Sequence, residues 1–291
     1  MDIIGKKYIF LSFSGLLVVA SITAVMFFGL KQGIDFAGGT LWQLRGDKLN
    51  QVIIQSVLPS ASISYQQADN SYVLRLPSLS EVEHKDIFKK LTNSPAGNAI
   101  EELRYETIGS AIGKELRSKA IWAFVFVLLG ISLYIAFAFR KVSRPVSSWK
   151  YGVITLVTLF HDAIIPIGLM AVMGNFFHAE LDTNFIVAIL VVIGFSVHDT
   201  IVVFDRIREN LKNTGGKVIS DFNGLVNKSI NETFARSINT SLTLLIVLLA
   251  LLLFSAPSLF YFILVILVGT IFGTYSSIFI ASPLLTLIKR D

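Results

Sequence analysis

The chain has 291 residues, a formal net charge of +5, 53% apolar residues, 15% charged residues and no cysteine. A chain so apolar and so poor in charge is excluded from the ordinary soluble classes and reads as a membrane protein. The absence of cysteine fits an exported domain without disulfides and identifies no compartment.

The first apolar segment, Tyr8 to Leu30, is long enough to cross a hydrocarbon core that needs about 20 helical residues. It is too long for a signal-peptide core and has no small-residue cleavage site, so it is read as a mature transmembrane helix. Residues 1–30 form the cytoplasmic N-terminus and this helix.

Residues 31–119 differ in composition, with Lys and Arg balanced by Asp and Glu. Their pattern predicts a strand at Thr40 to Leu44, a helix at Asp47 to Leu58 and strands at Ser62 to Gln67 and Ser71 to Leu76. A helix at Glu81 to Thr92 and a strand at Ile100 to Thr107 follow. The Asp69-Asn70 pair between the middle strands favours a tight turn, and Ser80 with Glu83 forms an S-x-x-E capping box. The order βαββαβ is the ferredoxin-like α+β arrangement. No nucleophile-base pair or metal-ligand spacing occurs here, so binding or lever action is favoured over chemistry.

Residues 120–291 supply five more apolar segments: Ile121 to Phe139, Tyr151 to Met173, Thr183 to Phe204, Ser237 to Phe254 and Leu259 to Ile280. The chain is therefore read as a polytopic α-helical membrane protein with six transmembrane helices and one external domain between the first two. Positive residues are retained on the cytoplasmic side. Lys6, Lys7, Arg140, Lys141, Arg144, Lys150, Lys289 and Arg290 all fall on one side, whereas Gly174 to Asp182 carries only Glu180 and Asp182. Both termini are accordingly cytoplasmic, and the basic charge is a topology signal rather than a reason to invoke nucleic acid.

Polar residues inside the apolar segments are the candidate functional groups, because a charge at mid-membrane costs about 2.5–3.5 kcal/mol on insertion scales and usually has a partner. Thr155, Thr158 and Asp162 share one face of helix 3, Ser196 and Asp199 share one face of helix 4, and Arg236, Asn239 or Thr240, and Thr243 form a stripe on helix 5. Asp199 and Arg236 fall at similar depth, with Asp162 nearer mid-membrane. One reading makes Asp199 a carboxylate that loads and releases a proton, with Arg236 as permanent counter-charge and Asp162 as a weaker participant. The other makes Asp199 and Arg236 a static ion pair that fixes helix packing.

His161-Asp162 and His198-Asp199 invite a metal reading. Adjacent helical residues point about 100° apart, and no H-E-x-x-H is present, so no metal site is assigned. His161 and His198, with Thr200, are read as supporting polar groups. Gly269 and Gly273, followed by Ser277 and Ala281, make a small-residue stripe for helix packing. Asp205 to Glu232, with Val218, Ile219, Phe222, Leu225 and Val226 at helical spacing, predicts an interfacial amphipathic helix or a partner contact. Gly33, Asp35, Gly38 and Gly39 mark a tight turn and hinge where the external domain joins helix 1.

Four segments together resemble the signature segments of the SecF family of bacterial protein-export membrane subunits, related to the resistance-nodulation-division transporters. They are Gly33 to Thr40, Phe160-His161-Asp162, Gly194 to Asn210 and Asn231 to Ser241. The resemblance spans nearly the whole chain. It implies a partner, SecD, with a similar six-helix half, and a proton-driven accessory role beside the SecYEG channel in the bacterial inner membrane. YajC and YidC are implied as further partners, unfolded exported polypeptide as client and membrane lipid as surroundings. The family's proton-conducting positions correspond to Asp199 and Arg236, with a third carboxylate expected on SecD. Members often have Asn before this Asp, where the chain has His198.

The expected function is thus no bond-making enzyme and needs no cofactor: it couples inward proton flow to movement of an external domain that holds emerging polypeptide. The alternative is a proton-driven half-transporter exporting a small amphipathic molecule or lipid, against which the small external domain without an apolar channel argues. An intramembrane protease would need a G-x-G-D carboxylate pair or a metal motif, and neither is present.

Overall fold

The computed structural model describes residues 1–67, 69–94, 100–140, 146–213 and 221–288. Lys141, Arg144, Val218, Ile219, Lys289 and Arg290, used in the sequence argument, lie outside them. In chain order the helices and strands are α1 (Lys7–Phe28), α2 (Ile34–Ala37), β1 (Gly39–Arg45), α3 (Gln51–Val57), β2 (Ser62–Gln66), β3 (Ser71–Leu76), α4 (Glu81–Thr92), β4 (Glu101–Ile108), α5 (Ser110–Ala138), α6 (Ser148–Phe177), α7 (Thr183–Asn213), α8 (Phe222–Phe254) and α9 (Phe260–Ser276). A π-helical turn at Ser277–Ala281 then leads into α10 (Ser282–Leu287). Two units separate, one made of Met1–Lys31 with Trp122–Asp291, the other of Gln32–Ile121.

In the smaller unit the strands pair antiparallel in the order β2-β3-β1-β4, which gives the ferredoxin-like topology predicted from sequence. Trp42, Leu44, Leu74, Ile54 and Leu91 bury fully between sheet and helices. α4 begins where the capping box places it: Ser80 accepts from the Glu83 amide, and Glu83 accepts from the Ser80 amide at 2.8 Å. α3 begins later than the hydrophobic pattern indicates, because Asn50 is the residue whose side chain accepts the Ile53 amide at 2.9 Å. The turn between β2 and β3 places Asn70 at φ 48, the left-handed conformation that Asn tolerates.

A bulge shifts the β1–β4 register after Gln43, so that Leu44 faces Glu102. That extra residue brings the Glu102 carboxylate beneath the buried indole, where it accepts from Trp42 Nε1 at 2.7 Å. The one-turn α2 was not visible to periodicity. It ends at Gly38, with φ +76, and a Cβ there would lie 2.7 Å from the Ser110 Cα at the start of α5. The glycine motif thus allows the chain entering the domain to pack on the chain leaving it.

The larger unit holds α1, most of α5, and α6 to α10, and among the described residues six helical stretches, the last running Pro257–Leu287, are each long and apolar enough to cross a membrane. α6, α7 and α9 form its centre, whereas α1, α5 and α8 expose most of their side chains. The pattern inverts that of a soluble protein: Leu133, Phe137, Val247 and Phe254 face outward, whereas Thr155, Thr158, Asp162, Ser196 and Ser276 are fully buried. Apolar side chains gain nothing by leaving lipid, so helices associate here through close packing and hydrogen bonds. At Gly168 of α6 a Cβ would fall 2.5 Å from the Ser21 Cβ of α1, which shows how near those two backbones run.

The described residues of the predicted amphipathic helix over Asp205 to Glu232 belong to two longer helices. Its first part continues α7 to Asn213, and its last part opens α8, whose N-cap Asp221 accepts from the Gly224 amide at 2.7 Å. Of the predicted apolar positions, the described ones, Phe222, Leu225 and Val226, belong to the start of α8, where Phe222 and Val226 bury with Ile207 and Leu211 of α7. Arg206 of α7 reaches Glu232 of α8 at 2.7 Å across the same seam.

Candidate functional site

Asp162 lies on α6 and is fully buried. Its Oδ2 accepts from the hydroxyls of Ser196 on α7 and Ser276 on α9, the latter at 2.7 Å, and its Oδ1 faces His161 Nδ1 at 2.8 Å. Thr155 and Thr158 lie on the same buried face, each donating back to a carbonyl of its own helix. Pro166, one turn further on, has no N–H to offer the Asp162 carbonyl four residues earlier, so the ordinary helical bond at this level is missing. Non-hydrogen-bonded backbone at membrane depth is tolerated only where protein or a polar cavity surrounds it.

Asp199 lies on α7 and is 6% exposed. Ser277, at the junction of α9 with the π turn, donates to its Oδ2 at 2.5 Å. Thr200 beside it is buried, and among the described residues its hydroxyl has no hydrogen-bond partner, as is also true of Ser237 on α8, Thr270 on α9 and His161 Nε2. Ser241 of α8 meets Thr274 of α9, hydroxyl to hydroxyl, at 2.6 Å. Helices α6, α7 and α9, with one face of α8, therefore enclose a run of carboxylates, hydroxyls and one imidazole in an otherwise apolar unit. Such a lining can bind and release protons and reorient hydroxyl hydrogens. Among the described residues no group of three or more His, Cys, Asp or Glu could hold a metal ion.

The expected meeting of Asp199 with Arg236 does not occur within the chain. Arg236 is exposed on α8, and among the described residues its guanidinium makes no ion pair or side-chain hydrogen bond. Asn239, Thr240 and Thr243 share that exposure. The helix-5 stripe thus turns outward, and the inward polar face of α8 is instead Ser237 and Ser241. His198 is exposed while Asp199 is buried, as the angle of about 100° between adjacent helical residues requires.

Gly269 and Gly273 face α7. A Cβ at 269 would lie 2.6 Å from Val192 Cγ1, and one at 273 would lie 3.0 Å from the Ser196 Cβ. This approach brings α9 close enough for its serines to reach both carboxylates. Ser276 and Ser277 are the carboxylate partners that sequence reasoning missed, having counted Ser277 only as the next small residue of the glycine stripe. The signal available was a hydroxyl on a stripe that had to face another helix.

Residues 87–291 match the family described as protein export membrane protein SecD/SecF, C-terminal, and residues 23–48 match the SecD/SecF GG motif. The chain is 39% identical to the protein translocase subunit SecF of Thermobaculum terrenum, over 98% of this chain and 93% of that one. It is 32% identical to the protein translocase subunit SecDF of Bacillus subtilis, over 97% of this chain but 37% of that longer protein. Among solved structures, SecDF of Thermus thermophilus, described as a translocon-associated membrane protein, superposes with a TM-score of 0.82 at 32% identity, over 99% of this chain and 38% of that one. SecDF in a super-membrane-facing form superposes with a TM-score of 0.70.

Proposed function

The chain belongs to the SecD/SecF family of protein export membrane proteins, and from that premise we propose that it acts as the SecF half of a proton-driven export machine. The observation that carries this reading is Asp199, a buried carboxylate on a membrane-spanning helix that accepts from the Ser277 hydroxyl and, among the described residues, forms no ion pair. Intramembrane ionisable groups mark ion and proton paths far more often than they serve packing.

In this reading the partner is a SecD half, which in the SecDF relatives shares one polypeptide with the matching region. Asp199 exchanges protons with the periplasmic and cytoplasmic sides in turn, Arg236 supplies a fixed positive charge at the interface with SecD, and a SecD carboxylate completes the path. An equilibrium between two shapes is biased only by differential protonation of them. The smaller unit, on the outer face of the inner membrane, holds emerging unfolded polypeptide, and the Gly33 to Gly39 segment is its hinge. Both termini are cytoplasmic, and the assembly works beside SecYEG, with YajC and YidC as neighbours. The chain makes and breaks no bond in its client.

Asp199→Asn tests this. It should abolish proton-driven stimulation of export while the complex with SecD still co-purifies. Undiminished stimulation would overturn the proposal, and loss of assembly would assign the carboxylate to packing.

A further inference from the structure

Ser276 and Ser277 are consecutive residues, yet they serve different carboxylates on different helices: Ser276 donates to Asp162 of α6, and Ser277 donates to Asp199 of α7. This is possible because α9 lies against both α6 and α7, and neighbouring side chains on a helix diverge by about 100°. Each hydroxyl also has a second acceptor within reach, the carbonyl three residues earlier: Gly273 O at 3.0 Å for Ser276, and Thr274 O at 2.9 Å for Ser277. A hydroxyl carries one hydrogen and can give it to only one of the two.

The helix then changes character at this point. Ser277–Ala281 is a π turn, and Pro283 beyond it withholds the N–H that an α-helix would give to Phe279. Single π turns inside helices concentrate at functional sites and at points of register change.

We propose that Asp162 is a second proton-binding carboxylate of this chain, and that Ser276 and Ser277 are positioning residues which tie its occupancy to that of Asp199. The proposal rests on the reading of Asp199 as a proton site. When Asp162 is ionised, Ser276 gives its hydrogen to the carboxylate. When a proton from solution binds the carboxylate, the new O–H donates to Ser276, whose own hydrogen swings to the Gly273 carbonyl; release reverses both steps, and no other atom changes hands. Ser277 does the same between Asp199 and the Thr274 carbonyl. Because the two serines share one stretch of backbone beside the π turn, a shift that suits one carboxylate changes the donor seen by the other. The titratable group facing Asp162 is His161 on its own helix, and α7 brings to it the Ser196 hydroxyl. α9 brings only hydroxyls to it, since Tyr275 turns away to the Phe10 carbonyl of α1 at 3.1 Å.

The test is a pH titration of the full chain in lipid nanodiscs, followed by infrared difference spectroscopy of the protonated carboxyl bands. Two bands should titrate, one lost in Asp162→Asn and the other in Asp199→Asn. The midpoint of the Asp199 band should move by about one pH unit in Asp162→Asn, the mark of coupled sites. Ser276→Ala should move the Asp162 midpoint toward higher pH, because that hydroxyl favours the anion, and Ser276→Thr should restore it. A carboxyl band for Asp162 that is absent or constant at every pH overturns the proposal, as does an Asp199 midpoint indifferent to Asp162→Asn. If Asp162→Asn does not fold, Ser276→Ala against Ser276→Thr decides alone. The measurement reads proton binding rather than export. A constant Asp162 band with export still dependent on Asp199 defeats only this inference, while two titrating bands with export indifferent to Asp199→Asn defeat only the proposed function.

Discussion

Gly273 of α9 lies so close to Ser196 of α7 that a Cβ added at 273 would come within 3.0 Å of the Ser196 Cβ. Ser196 in turn donates to Asp162, so the glycine stripe sets both the packing of two central helices and the position of a donor to a buried carboxylate. One step earlier, at Gly269, a Cβ would meet Val192 at 2.6 Å, and a β-branched side chain has little freedom to move aside. Gly269→Val should therefore destabilise the chain by about 1–3 kcal/mol, the usual range for overpacking. Gly194→Ala, where nothing lies within 4 Å, should stay within about 0.5 kcal/mol of the parent. Unfolding of both variants in detergent, followed by circular dichroism, gives the comparison.

In the smaller unit, Glu102 accepts from Trp42 Nε1 and faces His84 Nε2, each at 2.7 Å, while the Trp42 side chain is fully buried. Glu102→Ala leaves the indole N–H without its acceptor and should cost about 1–3 kcal/mol. Glu102→Gln keeps an acceptor oxygen and should cost less. Equilibrium urea unfolding monitored by tryptophan fluorescence separates the two variants, and equal losses would show that the indole bond is not what stabilises this corner.

Hydrogen bonds from the Ser80 amide and hydroxyl hold the Glu83 carboxyl below its ordinary value. A group whose folded pKa is depressed contributes stability that is present above its unfolded pKa, near 4.3, and is lost as pH falls through the lower folded value. The first turn of α4 should thus loosen on acidification below about pH 4 in the parent, and Glu83→Gln should remove that pH dependence. Ser80→Ala should weaken the same turn at neutral pH by about 1 kcal/mol. Amide exchange at Val82, Glu83 and His84 in the full chain reads all three effects.

Elements with strong local signals were legible in the sequence. The spans followed from apolar length, β3 and α4 fell at the expected residues, and the buried faces of α6 and α7 followed from helical spacing of Asp162 with Thr155 and of Asp199 with Ser196. What spacing could not supply was rotation of one helix against another. The stripe holding Arg236 and Asn239 and the face holding Ser237 and Ser241 lie on opposite sides of α8, and both are polar, so only packing decides which turns inward. Ser276 and Ser277 were hidden for a related reason: a serine in an apolar helix is as acceptable for close packing as for hydrogen bonding, and the approach of α9 to α7 assigns it both tasks. The continuity of α7 past Phe204 was obscured because charge marks the end of an apolar span but does not end a helix.

Arg236 provides the sharpest separation between a structural and a functional charge. Its side chain is exposed on a membrane-spanning helix, while its carbonyl, inside α8, also accepts the Thr240 hydroxyl at 2.9 Å. An unpaired guanidinium facing lipid is unfavourable by an amount that reaches about 2.5–3.5 kcal/mol at mid-membrane and falls toward the surface. Arg236→Leu should therefore leave the isolated chain as stable as the parent or more so, because no side-chain bond among the described residues is broken. In the complex with a SecD half the same change should remove proton-driven export, since an apolar side chain offers no counter-charge to Asp199 or to a partner carboxylate. Arg236→Lys keeps the charge but loses the planar fork of donors, so it should retain assembly with reduced activity. Thermal unfolding of the chain alone, beside proton flux of the reconstituted complex, makes the comparison. A loss of about 3 kcal/mol in the isolated chain would place the guanidinium in an internal ion pair, the cost expected when one partner of a buried pair is removed, and would return Arg236 to a packing role.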